Sequence, residues 1–176
     1  MGAEEADLML QVYTGNGKGK TTAAIGLAVR AAGAGMRVLF VQLMKNVPTS
    51  ELESLKLLGD RIIVKQFGTG GLIVSTPAKE DYECAEEALA EIRASVTSGR
   101  FKMIVADEMC TALYYKLVDR AKVLAIIKEC PPSTELVFTG RYADADIIKA
   151  ADLVTEMREV KHYYQKDISA RKGIEY

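Results

Sequence analysis

Apolar residues in this chain fall into short unbroken runs, separated by segments in which they recur every third or fourth position. This is the pattern of buried strands alternating with amphipathic helices. Leu8 to Tyr13 (LMLQVY) reads as a strand, and from Thr21 to Ala32 the residues Ala24, Leu27, Ala28 and Ala31 share one helical face. Small side chains on that face let the helix sit close to a sheet. Gly33 and Gly35 stop it, and Arg37 to Met44 returns as a second strand. A strand-loop-helix-strand unit implies a right-handed crossover and a parallel pair. Ser50 with Glu53 reads as a capping box opening a helix to Leu58, which Gly59-Asp60 ends before a third strand, Arg61 to Phe67.

A glycine-rich loop, Gly68-Thr69-Gly70-Gly71, leads to Thr76-Pro77, where a Thr cap and a Pro at the first helical position predict a helix start. Tyr82, Ala85, Leu89, Ile92 and Val96 form its buried stripe, ended by Ser98-Gly99. Phe101 to Ala106 is a fourth strand. Asp119 caps a helix with Val123, Leu124 and Ile127 on its apolar side, terminated by Pro131-Pro132. Glu135 to Thr139 is a fifth strand, Asp144 caps a helix through Ala151, and Leu153 to Met157 is a sixth strand before a basic, tyrosine-containing tail, Lys161 to Tyr176. With no repeat or low-complexity linker, the order predicts one α/β domain over residues 1–176, a three-layer sandwich on a mostly parallel sheet.

Composition narrows the function classes. A chain of 176 residues with 49% hydrophobic and 27% charged residues is globular rather than disordered. A net charge of −1 argues against broad nucleic-acid binding, so any anion site must be local. Cys84, Cys110 and Cys130 are widely spaced and form no C-x-x-C pair, so the pattern supports neither a disulfide framework nor a zinc ribbon; they read as core fillers, and a reducing cytoplasm fits best. Met1 to Asp7 is short and acidic, and no apolar stretch reaches the ~18 residues of a membrane span, so neither a signal peptide nor a membrane partner is expected.

The chemistry begins at Thr14-Gly15-Asn16-Gly17-Lys18-Gly19-Lys20-Thr21-Thr22. Gly19, Lys20 and Thr21 complete the second half of a phosphate-binding loop, in which backbone N–H groups wrap a phosphate chain, Lys neutralises it and the hydroxyl holds Mg²⁺. Thr14 stands where the first Gly usually does, and Gly15 and Gly17 are expected to keep the turn free for positive φ. The helix that opens at Thr21 and Thr22 adds a macrodipole worth roughly +0.5 charge. Asp107-Glu108, closing the fourth strand, supplies the acids of a P-loop metal site. Arg141 follows Gly140 at the carboxyl end of a strand, the edge where open α/β sheets bind ligands. These residues predict a P-loop NTPase-like, RecA-like fold binding a nucleoside triphosphate with Mg²⁺ at Lys20, Thr21 and Asp107. They do not say what is transferred, and they leave open an ATPase or phosphotransferase and an ATP-sensing regulatory module.

TGNGKGKTTAAIGLAVRAAGAGMRVLFVQLMK, QFGTGG, IVADEMCTALYYKLV, LVFTGR and ADLVTEMREVKHYYQKDISARKGIEY together resemble the P-loop type of ATP:corrinoid adenosyltransferase, the cob(I)yrinic acid a,c-diamide adenosyltransferase family, from about Leu8 to the last residue. The resemblance implies transfer of the 5′-deoxyadenosyl group of ATP to the Co(I) centre of a corrinoid, with release of triphosphate. It implies a nucleotide lying reversed in the loop, so that C5′ faces the second substrate. It assigns triphosphate binding to Gly15, Asn16, Gly17, Lys18, Gly19, Lys20, Thr21 and Thr22, and nucleotide contacts to Arg30 and Arg141. Lys20, Glu108 and Arg141 become catalytic, and Thr21, Asp107 and Glu108 hold Mg²⁺. Gln42 and Lys45 support the site from the next strand's end. The implied partners are ATP, a reduced corrinoid, an electron donor such as a flavodoxin or reductase, and a second copy in a homodimer. Some members carry an aromatic pair near Gly70 to Val74. This chain has Gly71, Leu72 and Ile73 there, leaving Phe67, Ile73 or the tail tyrosines to take that part. His162, the only histidine, reads as structural, and Tyr163 and Tyr164 as packing the tail.

Overall fold

The computed structural model describes residues 9–70 and 76–176. Strands β1 (Met9–Thr14), β2 (Val38–Leu43), β3 (Ile62–Phe67), β4 (Met103–Asp107), β5 (Glu135–Thr139) and β6 (Leu153–Glu156) pair in the order β3-β2-β4-β5-β1-β6. Every pairing is parallel. Helices α1 (Lys20–Gly33), α2 (Ser50–Lys56), α3 (Lys79–Ser98), α4 (Met109–Tyr114), α5 (Arg120–Glu129) and α6 (Ala145–Ala150) complete the described elements, with one-turn 3₁₀ segments at Gly59–Arg61 and Tyr163–Lys166.

Two cores cover the sheet, one per face. Ala24, Ala28, Ala31 and Ala32 of α1, with Leu55 of α2, pack on Val38, Phe40, Met103, Val105 and Val137. On the other face, Leu89, Ile92 and Val96 of α3 and Val123, Ile126 and Ile127 of α5 pack on Leu39, Val41, Ile104, Ala106, Leu136 and Phe138. Neighbouring residues of one strand serve opposite cores because side chains alternate across the sheet. Strands covered on both faces read as near-continuous apolar runs, and β2 is buried at every position, with Gln42 the polar exception. This is the expected three-layer P-loop NTPase-like architecture, and its strand order adds a consequence for the site. β5 lies between β1 and β4, so the ends that feed the phosphate loop and carry Asp107 stand about 10 Å apart, two strand spacings. The end of β5 fills the gap.

Local signals were met unevenly. Asp119 caps α5 by accepting the N–H groups of Ala121 and Lys122 at 2.7 and 3.2 Å, and Asp144 caps α6 through the Asp146 N–H at 2.8 Å. The capping box at Ser50 is not formed. Ser50 is already helical, its hydroxyl donates to the Tyr176 backbone oxygen at 3.0 Å, and Glu53 pairs with Lys56 at 2.6 Å. Nor does Thr76-Pro77 open α3. The helix starts at Lys79, where the Asp81 carboxylate accepts the Ala78 N–H and the Thr69 hydroxyl, both at 2.8 Å. Helix α4 was not anticipated, because a stretch this short carries too little periodicity to register. Leu8, Met1 to Asp7, and the Gly71, Leu72, Ile73 and Val74 part of the expected aromatic loop lie outside the described residues.

Ile104 is fully buried at the centre of the sheet. Ile104→Ala is expected to cost about 2–5 kcal/mol of stability and Ile104→Val about 0.5–1.5, read as falling urea midpoints at constant slope. An unchanged midpoint for the alanine variant would contradict the core described here.

Candidate functional site

The loop between β1 and α1 is held open by glycine for two separate reasons. Gly15 and Gly19 have φ of 96° and 118°, values that a side chain strains to adopt. Gly17 is not needed for positive φ, as the sequence suggested, but for space. A Cβ there would lie 2.7 Å from the Met157 carbonyl oxygen, and the Gly17 N–H donates to that same oxygen at 2.7 Å. The loop is thereby fastened to the residue after β6. Thr14, in place of the usual first Gly, ends β1, and its hydroxyl accepts the Ala143 N–H at 3.3 Å. No side chain caps α1, so its first N–H groups are left for a ligand.

Lys20, the first residue of α1, folds back over this loop, its Nζ donating to the carbonyls of Gly15 and Gly17 at 2.8 Å each. Burial holds its ammonium below the usual pKa of 10.5, with Glu108 pulling upward and Arg141 downward. A polyanion arriving at the loop would find a desolvated charge whose hydrogen-bond partners among the described residues are neutral carbonyls.

Asp107 is the hub of the site. Fully buried at the end of β4, its Oδ1 accepts the hydroxyls of Thr21 at 2.8 Å and Thr139 at 2.6 Å. Its Oδ2 accepts Lys45 Nζ at 2.8 Å and, at 3.5 Å, Gln42 Nε2. Gln42 is in turn fixed by Gln66, whose amide donates to its oxygen at 2.9 Å. Burial works against the Lys45 charge, but the charge of Asp107 and their hydrogen bond outweigh it, and the Lys45 pKa rises above 10.5. Met44, at φ 59°, makes the turn between Leu43 of β2 and Lys45.

Glu108 follows in a left-handed conformation, φ 66°, its N–H donating to Thr139 Oγ1 at 2.9 Å and its carboxylate accepting the Thr111 hydroxyl at 2.5 Å. Thr111 Oγ1 also accepts the Arg141 N–H at 3.0 Å. Gly140, φ 131°, leaves no room for a Cβ, which would lie 2.7 Å from Thr111 N. Thus β5 delivers Thr139 to Asp107 and Arg141 to the cavity mouth.

The loop residues Asn16 to Thr22, together with Lys45, Glu108 and Arg141, line one cavity of about 670 Å³. Gln42 and Asp107 lie beneath it. Arg30 is not brought there, being exposed in the last turn of α1. Tyr115, Tyr142 and His162 are the aromatic rings on the cavity wall among the described residues, and the tail tyrosines are not. Tyr163 instead packs beside Lys18 and Arg171, and Tyr164 is exposed rather than packed. His162 Nδ1 accepts the Tyr164 N–H at 3.1 Å. Burial raises the thiols of Cys110 and Cys130 to about 12 and about 11, leaving both as inert core residues.

Two features escaped sequence reasoning. Thr139 was available as a polar residue closing an apolar strand. The tail contact had no local signal: Lys18 Nζ donates to the Ile174 carbonyl at 3.0 Å and to Glu175 Oε1 at 2.9 Å, across more than 150 residues of chain. Hydrogen bonds from Arg171 and Lys18 hold the Glu175 carboxyl down at about 2.

Among the described residues no cluster of three His, Cys, Asp or Glu side chains gathers for a metal. The donors that are present, the Thr21 hydroxyl and Asp107 carboxylate with Glu108 beside them, are hard oxygens of the kind Mg²⁺ takes alongside phosphate and water.

Residues 6–176 match the family model described as ATP:corrinoid adenosyltransferase BtuR/CobO/CobP. A corrinoid adenosyltransferase of a Sinorhizobium species is 36% identical over 171 residues, 96% of this chain and 80% of that protein. One from Pseudomonas aeruginosa is 34% identical, covering 96% and 83%, and one from Escherichia coli K12 is 32% identical, covering 99% and 88%.

Removing Lys45 leaves a buried carboxylate without its charged partner, so Lys45→Met is expected to destabilise the protein by about 1–3 kcal/mol near neutral pH. The Lys45 pKa is raised on folding, so the pair's contribution is complete below 10.5 and fades as pH rises through the higher folded value. Denaturant melts of parent and variant should therefore differ at pH 7 and converge at strongly alkaline pH, and a gap that widens there would contradict the pairing. Thr139→Val, which cuts the link between Asp107 and the Glu108 backbone, should cost a similar ~1–3 kcal/mol. A parent-like melting curve for that variant would contradict the hub.

Proposed function

The chain belongs to the ATP:corrinoid adenosyltransferase BtuR/CobO/CobP family, and we propose that its phosphate cavity is where the 5′-deoxyadenosyl group of ATP passes to the Co(I) centre of a corrinoid, as a step of cobalamin synthesis or salvage. The observation that carries the assignment is convergence: in a chain matching this family almost throughout, the phosphate loop, Glu108 and Arg141 line one cavity and Asp107 lies beneath it.

In this reading the Co(I) electron pair forms the Co–C5′ bond while the C5′–O5′ pair departs on triphosphate. Such a reaction asks the protein to favour charge building on a leaving group, not to activate water. The free N–H groups of α1 and the Lys20 ammonium suit that task, since both are fixed and partly desolvated before reaction. The nucleotide lies reversed, triphosphate in the loop and C5′ toward the corrinoid. Thr21, Asp107 and Glu108 would hold Mg²⁺, which when bound supplies further positive charge against the triphosphate. Asp107 also keeps Thr21 and Lys45 in register, and Arg141 adds a cation at the mouth. Glu108, tied to Thr111, orients nucleotide and metal rather than serving as a base. Arg30 is left out of the assignment because it does not reach the cavity.

The reading extends to one domain spanning the chain and to a cytoplasmic enzyme; no described helix is long and apolar enough to cross a membrane. Reaching Co(I), a strongly reduced state, takes an electron from a donor, and a flavodoxin or reductase is the proposed source. A homodimer is proposed as well, with the exposed edge strand β6 as an available surface.

Incubation with ATP, Mg²⁺ and a chemically reduced corrinoid should form a light-sensitive cobalt–carbon species and one triphosphate per adenosyl group. Phosphate and ADP without that species would overturn the reading in favour of an ATPase or phosphotransferase. Lys20→Ala should lower kcat/KM by about 10²–10³-fold, the scale of losing one preorganised charge partner. Near-parent turnover of the folded variant would remove Lys20 from the mechanism. Asp107→Asn should shift the Mg²⁺ titration to higher concentration, and an unshifted titration would count against its part in holding metal.

A further inference from the structure

The two lysines of the phosphate loop are both held by protein acceptors, but the acceptors differ in kind. Lys20 rests on the neutral carbonyls of Gly15 and Gly17. Lys18 meets one neutral carbonyl, Ile174 at 3.0 Å, and in addition a carboxylate, its Nζ 2.9 Å from Glu175 Oε1. Glu175 is not a loose surface side chain. The Arg171 N–H and Nη2 donate to its two oxygens at 2.8 and 3.0 Å, and the Arg171 guanidinium lies 4.7 Å from the centre of the Tyr163 ring. Farther on, the Tyr176 backbone oxygen accepts the Ser50 hydroxyl at 3.0 Å, tying the tail to α2. Ile174 and Glu175 line the same cavity as Lys18. A fixed anion therefore stands at the loop and engages one of its two cations.

The proposed reaction gives that placement a purpose. When a phosphoryl group is transferred, the phosphate chain is cut and its contacts are divided between two products. When adenosyl is transferred, the chain leaves whole and carries the extra negative charge of the broken C–O bond. Inorganic triphosphate keeps the phosphate contacts of ATP, so a loop built to bind the substrate tightly also retains the product. We propose that Glu175 is a release residue: a built-in anionic competitor that holds Lys18, weakens the loop's grip on inorganic triphosphate and so lets the product leave. The assignment rests on the adenosyltransferase reading of the cavity.

Calorimetric titration of inorganic triphosphate into the full-length protein at fixed ionic strength tests it. Glu175→Gln removes the competing charge and should bind triphosphate about three- to tenfold more tightly than the parent, the scale of a partly exposed ion pair together with a nearby like charge. Glu175→Asp draws the carboxylate back from Lys18 and should fall between the two. In steady-state assays, inhibition by added triphosphate should strengthen in the same order. In a Lys18→Ala background the gain from Glu175→Gln should shrink, a coupling that a merely structural tail contact would not produce. Should Glu175→Gln lower the melting temperature below that of the titration, Glu175→Asp decides. Triphosphate affinity that stays flat or falls in a folded Glu175 variant would overturn the inference. Failure of the parent itself to bind triphosphate would instead strike the phosphate-site reading beneath it.

Discussion

A single buried carboxylate holds the site together. Asp107 lies at the end of a strand covered on both faces, and it joins Thr21 of α1, Thr139 of β5 and Lys45 beyond β2 through hydrogen bonds of 2.6 to 2.8 Å. A buried charge is tolerated only where its lone pairs are met, so the groups that satisfy Asp107 are constrained in position. Through Thr21 that constraint reaches the first turn of the phosphate-loop helix. Through Thr139 it reaches the Glu108 backbone, and Arg141 stands two residues farther on. Strand order makes the arrangement possible, because β5 fills the space between the phosphate-loop strand and the acidic strand.

On this scaffold the phosphate loop can serve a reaction other than phosphoryl transfer. A fold carries many chemistries, and what decides among them is which atom of the ligand faces the second substrate. Loop amides, a helix terminus and a desolvated lysine stabilise negative charge wherever it grows. They favour a departing triphosphate as well as a transferring phosphoryl group. The loop is also anchored at its back, since Gly17 bonds the Met157 carbonyl and leaves no room for a side chain. Its geometry is thus set by the sheet before any ligand arrives.

What the sequence disclosed and what it hid divide along chain distance. Apolar runs and helical stripes mark the buried strands and the longer helices, because burial periodicity is a local property, and β6 was legible too although it is exposed at every position. Asp119 and Asp144 were readable as caps for the same reason. Ser50 and Thr76 carried equally good local signals, yet a distant carbonyl claimed the Ser50 hydroxyl and Asp81 took over the start of α3. The phosphate loop, Asp107, Glu108 and Arg141 were legible as motifs, while the strand order that brings them together was not. Thr139 and the Lys18–Glu175 contact depend on residues that meet only after folding. Gly17 was rightly singled out as a needed glycine, but the reason is the Met157 backbone, which nothing near it in sequence could announce.

The central claim is that this phosphate loop expels a whole triphosphate from C5′, and the most direct test is to ask which bond of ATP breaks. ATP carrying a heavy oxygen isotope at the atom bridging C5′ and the α-phosphorus, turned over with reduced corrinoid, distinguishes the possibilities by mass spectrometry of the products. Cleavage between C5′ and that oxygen places all of the label in inorganic triphosphate, with none in the adenosylated corrinoid. Label retained in ADP, AMP or adenosine would mean that a phosphorus–oxygen bond had broken instead, and would contradict the account.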